Sequence, residues 1–314
     1  MSSTNSLRNV VILFIILTIA IAFLVIGVMH IKKRNLAAVQ SNQPTKPLKG
    51  NYCFMASSLG LFTDEINCFK SIDYVSKENI VRILRDIHKP NKSFSDFYED
   101  FDKIISDLKS SEIISGRQND ASEFLAVLFD RISENLLKQG KLQDNDWVRK
   151  FCFVLHNLEN NKPELSPYIS DQGTNGIRKE NDLSVITIET NELFPLKEVH
   201  QTPEILIYII TLETEDNVIK HIQDIFEISN ANQYKAVINI SGTPNTEVYT
   251  LKGAAVHMGS DANSGHYNYF HKKKEGNSVK WMRYSDNKLV KEITNVPSSA
   301  PFPCILVYEK EKNK

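Results

Sequence analysis

The hydrophobic pattern of this chain changes period near residue 147, and that change limits the folds open to it. Before it, apolar residues recur at helical spacing. Residues 77–88 carry Ile80, Val81, Ile83, Leu84 and Ile87, and Pro90 stops the helix. Residues 94–108 repeat the pattern with Phe94, Phe97, Phe101, Ile104, Ile105 and Leu108. A third helix opens at Asn119-Asp120-Ala121 and runs to about residue 137, with Phe124, Leu125, Leu128, Phe129 and Ile132 on its inner face. Beyond the change, short runs rich in β-branched and aromatic residues take over, at 151–155, 183–188, 205–212, 235–240, 249–258, 266–272, 280–284 and 303–309. Helices first and strands afterwards predict an α+β fold, a helical lobe followed by an antiparallel β lobe, with a cleft between them. Residues 160–182 are polar and hold Pro163, Pro167, Gly173 and Gly176, which predicts a mobile loop.

A second feature lies outside any such fold. Residues 10–29 form an uncharged apolar run, broken in character only by Thr18 and Gly27. Twenty residues as a helix rise ~30 Å, enough to cross a bilayer's hydrocarbon core. A cleaved secretory signal has a shorter apolar region and a small-residue cleavage site. Here His30-Ile31-Lys32-Lys33-Arg34 follows instead, which predicts an uncleaved transmembrane helix. That cluster outweighs Arg8 on the other flank, so the positive-inside rule places the rest of the chain in the cytosol. Such a single-pass anchor suits the mitochondrial outer membrane or the endoplasmic reticulum. The chain then divides into residues 1–34, an anchor with a basic flank; residues 35–48, a polar tether with Pro44 and Pro47; and residues 49–312, one folded domain.

Composition narrows the chemistry. A net charge of −1, from 37 basic and 38 acidic residues, argues against a nucleic-acid partner. The four cysteines, Cys53, Cys68, Cys152 and Cys304, form no C-x-x-C pair, so neither a zinc site of that spacing nor a disulfide framework is expected. Cys53 stands apart. In Gly50-Asn51-Tyr52-Cys53-Phe54-Met55 a turn former leads into an apolar run, which puts the cysteine in the first turn of a helix. Unpaired N–H groups and the helix dipole favour the thiolate there. An isolated cysteine in an apolar helix is more often a small core residue than a nucleophile. A nucleophile also needs a base and a group that orients the base. His257 and His266 lie nine residues apart, where a hairpin would bring both together, and Ser285 and Asp286 follow the strand after Trp281.

Four segments together resemble the ubiquitin-specific protease (ubiquitin carboxyl-terminal hydrolase) family of cysteine peptidases. Gly50-Asn51-Tyr52-Cys53-Phe54-Met55-Ala56-Ser57 is similar to the family's Gly-Asn-Thr-Cys-Tyr/Phe-Met-Asn-Ser box. Gln118-Asn119-Asp120-Ala121-Ser122-Glu123-Phe124-Leu125 is similar to its Gln-Gln-Asp-Ala-His-Glu-Phe-Leu. Tyr249-Thr250-Leu251, His257-Met258-Gly259, Gly265-His266-Tyr267 and residues 281–286 follow in the family's order, and Thr202-Pro203-Glu204-Ile205-Leu206 resembles its Leu-Pro-x-Ile-Leu strand. The resemblance covers residues 48–310 or so, and in layout it is closest to the mitochondrial outer-membrane-anchored branch, which also carries serine at the third triad position.

That resemblance implies a papain-like domain with a helical thumb, a β palm and β fingers that hold ubiquitin, and no cofactor or metal. It implies Cys53 as nucleophile, His266 as general base and Ser285 as third triad member, with Asp286 beside it. His257 matches a family histidine that is not the base. Gln118 and Asp120 match residues lining the channel for ubiquitin's C-terminal tail, where an acidic group suits that tail's arginines. Gly265 and Tyr267 flank the groove that admits Gly-Gly. The chain also departs from the pattern: Leu48 stands where the family has an oxyanion-donating Asn, Ser122 replaces its His, and Ala56 its Asn. Loss of such a donor costs roughly 10²–10³ in rate. The implied function is a deubiquitinase cleaving after ubiquitin's terminal glycine; the alternatives are a catalytically weak or inactive ubiquitin-binding module on the same fold, and a protease for a ubiquitin-like modifier or a general papain-type peptidase.

Overall fold

The structure, a computed structural model, describes residues 51–115, 119–142, 145–170, 177–179, 185–210, 235–261, 264–275, 278–285, 288–293 and 302–312. Residues 48–314 form one compact unit. The transmembrane helix expected at residues 10–29 lies outside the described residues, as do Leu48, Gln118 and Asp286. Among the described residues no helix is long and apolar enough to cross a membrane.

Helices come first. They are α1 (Cys53–Gly60), a 3-10 turn (Thr63–Glu65), α2 (Ile66–Ser71), α3 (Lys77–Asp86), a second 3-10 turn (Phe94–Phe97), α4 (Tyr98–Leu108), α5 (Ala121–Lys138) and α6 (Asp146–Phe151). In α3 the residues at helical spacing, Ile80, Val81, Ile83 and Leu84, are all buried. The expected helix over residues 94–108 is split, its first turn being the 3-10 segment, and it ends at Lys109 in the left-handed region (φ 50°). In α5 Phe124, Leu125, Leu128, Phe129 and Ile132 are buried as one stripe.

The change to strands falls at residue 153, six residues later than the sequence pattern placed it, because residues 146–151 form α6. Asn145 caps that helix, accepting from the N–H of Trp147 at 2.9 Å and of Val148 at 3.3 Å. Then follow β1 (Phe153–Asn157), β2 (Pro163–Ser166), β3 (Ile169–Ser170), β4 (Ile177–Lys179), β5 (Val185–Glu189), α7 (Thr190–Leu193), β6 (Lys197–Gln201), β7 (Ile205–Ile209), β8 (Lys235–Asn239), β9 (Thr246–Asp261), β10 (Ser264–Glu275), β11 (Ser278–Ser285), β12 (Lys288–Ile293) and β13 (Phe302–Lys310). Strands β2, β3 and β4 occupy part of the span read as a loop at 160–182. Prolines at 163 and 167 hid the first two, yet β2 is an edge strand, where a missing N–H is tolerated.

A small sheet runs β2-β1-β6, and the large one β12-β11-β10-β9-β13-β7-β3, with β8, β5 and β4 branching in turn from β9. Most pairs are antiparallel as expected, but β3 with β7 and β5 with β8 are parallel. Strand β7 explains the layering. Ile205, Ile207 and Ile209 enter a core shared with the helices, while Leu206 and Tyr208 enter a second core on the other face. Neighbouring β13 does the same, with Ile305 and Val307 on the helical side and Leu306 and Tyr308 opposite. The large sheet is therefore covered on both faces, and the helices pack on one of them.

Candidate active site

Cys53 is the first residue of α1, with Tyr52 as the N-cap residue. Tyr52 makes no side-chain cap; its ring is buried against Tyr98 and Phe101, centroids 5.4 Å away in each case, and its hydroxyl donates to Asp102. The residue before the cysteine thus anchors the helix start in the helical lobe. No acidic residue occupies the first turn of α1, which leaves the dipole's positive end undiminished beside the thiol. Ser58 donates to the carbonyl of Ala121 at 3.0 Å, tying α1 to the start of α5. Helix α1 also packs on β10, the strand that carries His266.

His266 and Ser285 meet directly. His266 Nε2 lies 2.8 Å from Ser285 Oγ, across the β10–β11 pair in which Asn268 stands opposite Ser285. This leaves Nδ1 as the ring atom for another partner. His257 occupies a different position. The register sets His257 opposite Tyr267 and His266 opposite Met258, so the hairpin places the two histidines on adjacent strands but on opposite faces of the pleat. His257 is buried, and its ring lies 4.7 Å from that of Tyr267.

Asp120 is the N-cap of α5. Its Oδ1 accepts from the N–H of Ser122 at 2.7 Å, from the Ser122 hydroxyl at 2.5 Å and from the N–H of Glu123 at 3.4 Å. Ser122, which stands where a bulkier histidine is usual, fits this cap and is buried. Asn119 clamps the loop before it, accepting from the N–H of Ile114 at 3.0 Å and donating to its carbonyl at 2.9 Å. Tyr267 is fully buried below this junction. Burial pushes its hydroxyl far above the usual phenol range, and the nearby Cys304, Asp120 and Cys53 push the same way. The structure therefore gathers Cys53, Asp120 and Tyr267 at one end of β10, and His266 with Ser285 at the same end.

Gly265 is exposed and holds φ +146°. A Cβ there would meet the Met258 carbonyl at 2.5 Å and His257 Nε2 at 2.6 Å, so the position before His266 requires glycine. Local sequence gave no sign of His88, which follows α3. Its Nε2 lies 2.6 Å from the Tyr269 hydroxyl, and its ring stacks on Tyr284 with centroids 4.2 Å apart. The three groups come together from distant parts of the chain. Among the described residues no cluster of His, Cys, Asp or Glu has the geometry to hold a metal ion.

Several solved structures are similar to this chain at low identity. The SAGA DUB module with Ubp8, bound to monoubiquitin, is 14% identical, with 90% of this chain and 75% of that chain covered and a TM-score of 0.49. The Saccharomyces cerevisiae PAN2 pseudoubiquitin-hydrolase is 15% identical, with 82% of each chain covered and a TM-score of 0.47. An essential yeast splicing factor is 14% identical over 83% of this chain and 67% of that one, at a TM-score of 0.45. None of the curated proteins matches the chain significantly. The family model for ubiquitin carboxyl-terminal hydrolase matches residues 46–308, a span that includes the cysteine helix, the capped helix α5 and the strands with His266 and Ser285. The chain belongs to the ubiquitin carboxyl-terminal hydrolase family and has its papain-like α+β fold.

Proposed function

We propose that the protein is a deubiquitinating cysteine hydrolase, cleaving the bond after the C-terminal glycine of ubiquitin. The observation that carries this reading is the 2.8 Å contact of His266 Nε2 with Ser285 Oγ, on a strand packed against the helix that Cys53 begins. A hydroxyl that accepts from Nε2–H holds the imidazole in the tautomer whose Nδ1 takes the thiol proton. The Cys53 sulfur then attacks the glycine carbonyl carbon. The C–N bond breaks as His266 returns the proton to the leaving amine, and a thioester to ubiquitin remains. His266 next deprotonates a water that attacks the thioester, releasing the ubiquitin carboxylate and restoring the thiol. The backbone N–H of Cys53 is one donor for the oxyanion, and Asn51 is a second candidate in place of Leu48. The family resemblance assigns Gln118 and Asp120 to the channel for the ubiquitin tail and Gly265 to the groove for its last two glycines, with the buried Tyr267 beneath it. Asp286, the next residue in the chain, is the candidate for the carboxylate charge that Ser285 lacks.

Residues 10–29 anchor this domain in a membrane, with the catalytic part on the cytosolic side, at the mitochondrial outer membrane or the endoplasmic reticulum. The apolar run and the Lys32-Lys33-Arg34 flank support this. Imaging residues 1–40 fused to a fluorescent protein decides between the two membranes, and a diffuse signal would remove the anchor.

Full-length protein in detergent, incubated with a ubiquitin bearing a C-terminal electrophile, tests the activity. The expected result is a covalent adduct that Cys53→Ala abolishes. Tight ubiquitin binding without an adduct overturns the enzymatic reading in favour of a binding module on the same fold. Reaction only with a probe built on another ubiquitin-like modifier overturns the choice of substrate.

A further inference from the structure

Three aromatic rings connect the two halves of the site. Tyr269 lies three residues after His266 on β10, and Tyr284 immediately precedes Ser285 on β11; the register sets the two directly opposite. Their rings stack at 4.9 Å with 9° between planes. His88, from the segment after α3, lies over both, 4.2 Å from Tyr284 and 5.8 Å from Tyr269, and shares a 2.6 Å hydrogen bond with the Tyr269 hydroxyl. On its other side the Tyr269 ring abuts Gly60, the last residue of α1. A Cβ on Gly60 would fall 2.4 Å from Tyr269 Cζ and under 3 Å from its two ring neighbours. Tyr269 and Gly60 are thus a large and a small residue sharing one space, and nothing larger than glycine fits under the ring.

We propose that His88 is a positioning residue for catalysis: by clamping Tyr269 and Tyr284 it sets the end of the Cys53 helix against the strands that carry His266 and Ser285. The inference rests on the reading of Cys53 and His266 as nucleophile and base. Gly60 lies at the far end of the short helix that Cys53 begins, and Tyr284 is the residue before Ser285. A shift of about 1 Å in such a frame costs about 10²-fold in rate while leaving substrate contacts in place. The His88 imidazole is suited to the task because it offers both a flat face and an in-plane nitrogen, whereas phenylalanine offers the face alone.

The test is steady-state hydrolysis of ubiquitin carrying a fluorogenic C-terminal leaving group, by the full-length protein in detergent. His88→Phe keeps the stack and loses the hydrogen bond, His88→Ala loses both, and Gly60→Ala pushes on Tyr269 from the opposite side. The expected result is a kcat lowered about threefold in His88→Phe and tenfold or more in the other two, with KM within twofold of the parent. His88→Ala combined with Gly60→Ala should lose less than the product of the single effects, since both act on one ring. Thermal unfolding of each variant is followed in parallel. If His88→Ala does not fold, His88→Phe and Gly60→Ala decide. Unchanged kcat in folded variants of an active parent overturns the positioning role and leaves the proposed function standing, as does a loss of kcat that merely tracks the unfolded fraction. A parent that forms no adduct with the electrophilic probe removes the proposed function and this role with it.

Discussion

His257 Nε2 stands 2.6 Å from the point that a Cβ on Gly265 would occupy, with the Met258 carbonyl at 2.5 Å on the same side. A side chain at 265 therefore meets a ring and a backbone atom at once, in a backbone region that L-residues rarely adopt. Gly265→Ala should destabilise the protein by roughly 1–3 kcal/mol and shift His266, which is the next residue. Clearing the ring alone in Gly265→Ala with His257→Ala should not restore stability, because the Met258 carbonyl remains. Chemical denaturation of the three proteins checks this, and full recovery in the double variant would contradict it.

Ser285 offers His266 a neutral oxygen where a carboxylate would also stabilise the imidazolium. Ser285→Ala removes the 2.8 Å partner of Nε2 and should lower kcat about tenfold or more, with KM little changed. Ser285→Asp should raise kcat above that of the parent. A kcat for Ser285→Asp below that of Ser285→Ala would mean that the site is built around the hydroxyl.

Asp120 has two roles that substitution separates. As the cap of α5 it accepts from two backbone N–H groups and one hydroxyl. Asp120→Ala should lower stability by about 1 kcal/mol, whereas Asp120→Asn caps nearly as well. If Asp120 also faces the arginines of the ubiquitin tail, Asp120→Asn should raise KM several-fold at unchanged melting temperature. Equal KM in parent and Asp120→Asn would leave only the cap.

The pH dependence of stability follows from His88. Burial first, then the neighbouring His271 and Lys273, lower its pKa from 6.5 to about 4, against the opposing pull of Asp64; Tyr269 and Tyr284 also face it. The folded state then binds fewer protons than the unfolded chain between those values, so stability rises with pH across that window. On acidification from about pH 6.5 to 4 this one ring should withdraw about 3 kcal/mol. His271, also lowered by burial, acts in the same direction. Melting curves at pH 7, 5.5 and 4.5 should show a steeper fall for the parent than for His88→Phe. Parallel falls would show that His88 does not carry the effect.

Lys252 and Glu65 form a buried ion pair at 2.5 Å between the turn after α1 and strand β9, with Asp64 3.5 Å from the same ammonium. Lys252→Met strands the Glu65 carboxylate in the core and should cost roughly 3–5 kcal/mol. Replacing Glu65 by leucine in the same protein should recover most of it. Denaturation midpoints of the single and double variants check this, and an unrecovered double variant would assign the loss to packing.

Much of the architecture is legible in the residues. The stripe Ile80, Val81, Ile83, Leu84 is buried as its spacing requires, and β7 and β13 read as apolar runs because both of their faces are covered. Short elements were less legible. The six residues of α6 are too few to show a helical period, and their Trp147, Val148 and Phe151 read equally well as a strand. Strand β6, Lys197–Gln201, is half exposed and polar, with little apolar alternation to mark it. The family boxes marked Cys53, Asp120 and His266, since each sits at a local feature: a helix start, a cap and a glycine turn.

By itself the sequence determined the longer helices, the apolar strands and where α5 begins, because these follow from neighbours a few residues apart. Only the tertiary structure decided which groups meet. His266 reaches Ser285 and not a residue on the other face, His257 turns to Tyr267, and His88 finds Tyr269 across 181 positions of chain. The physical reason is register. A strand slipped by one residue turns every side chain to the opposite face, and what holds the register is packing over the whole sheet rather than any local pattern.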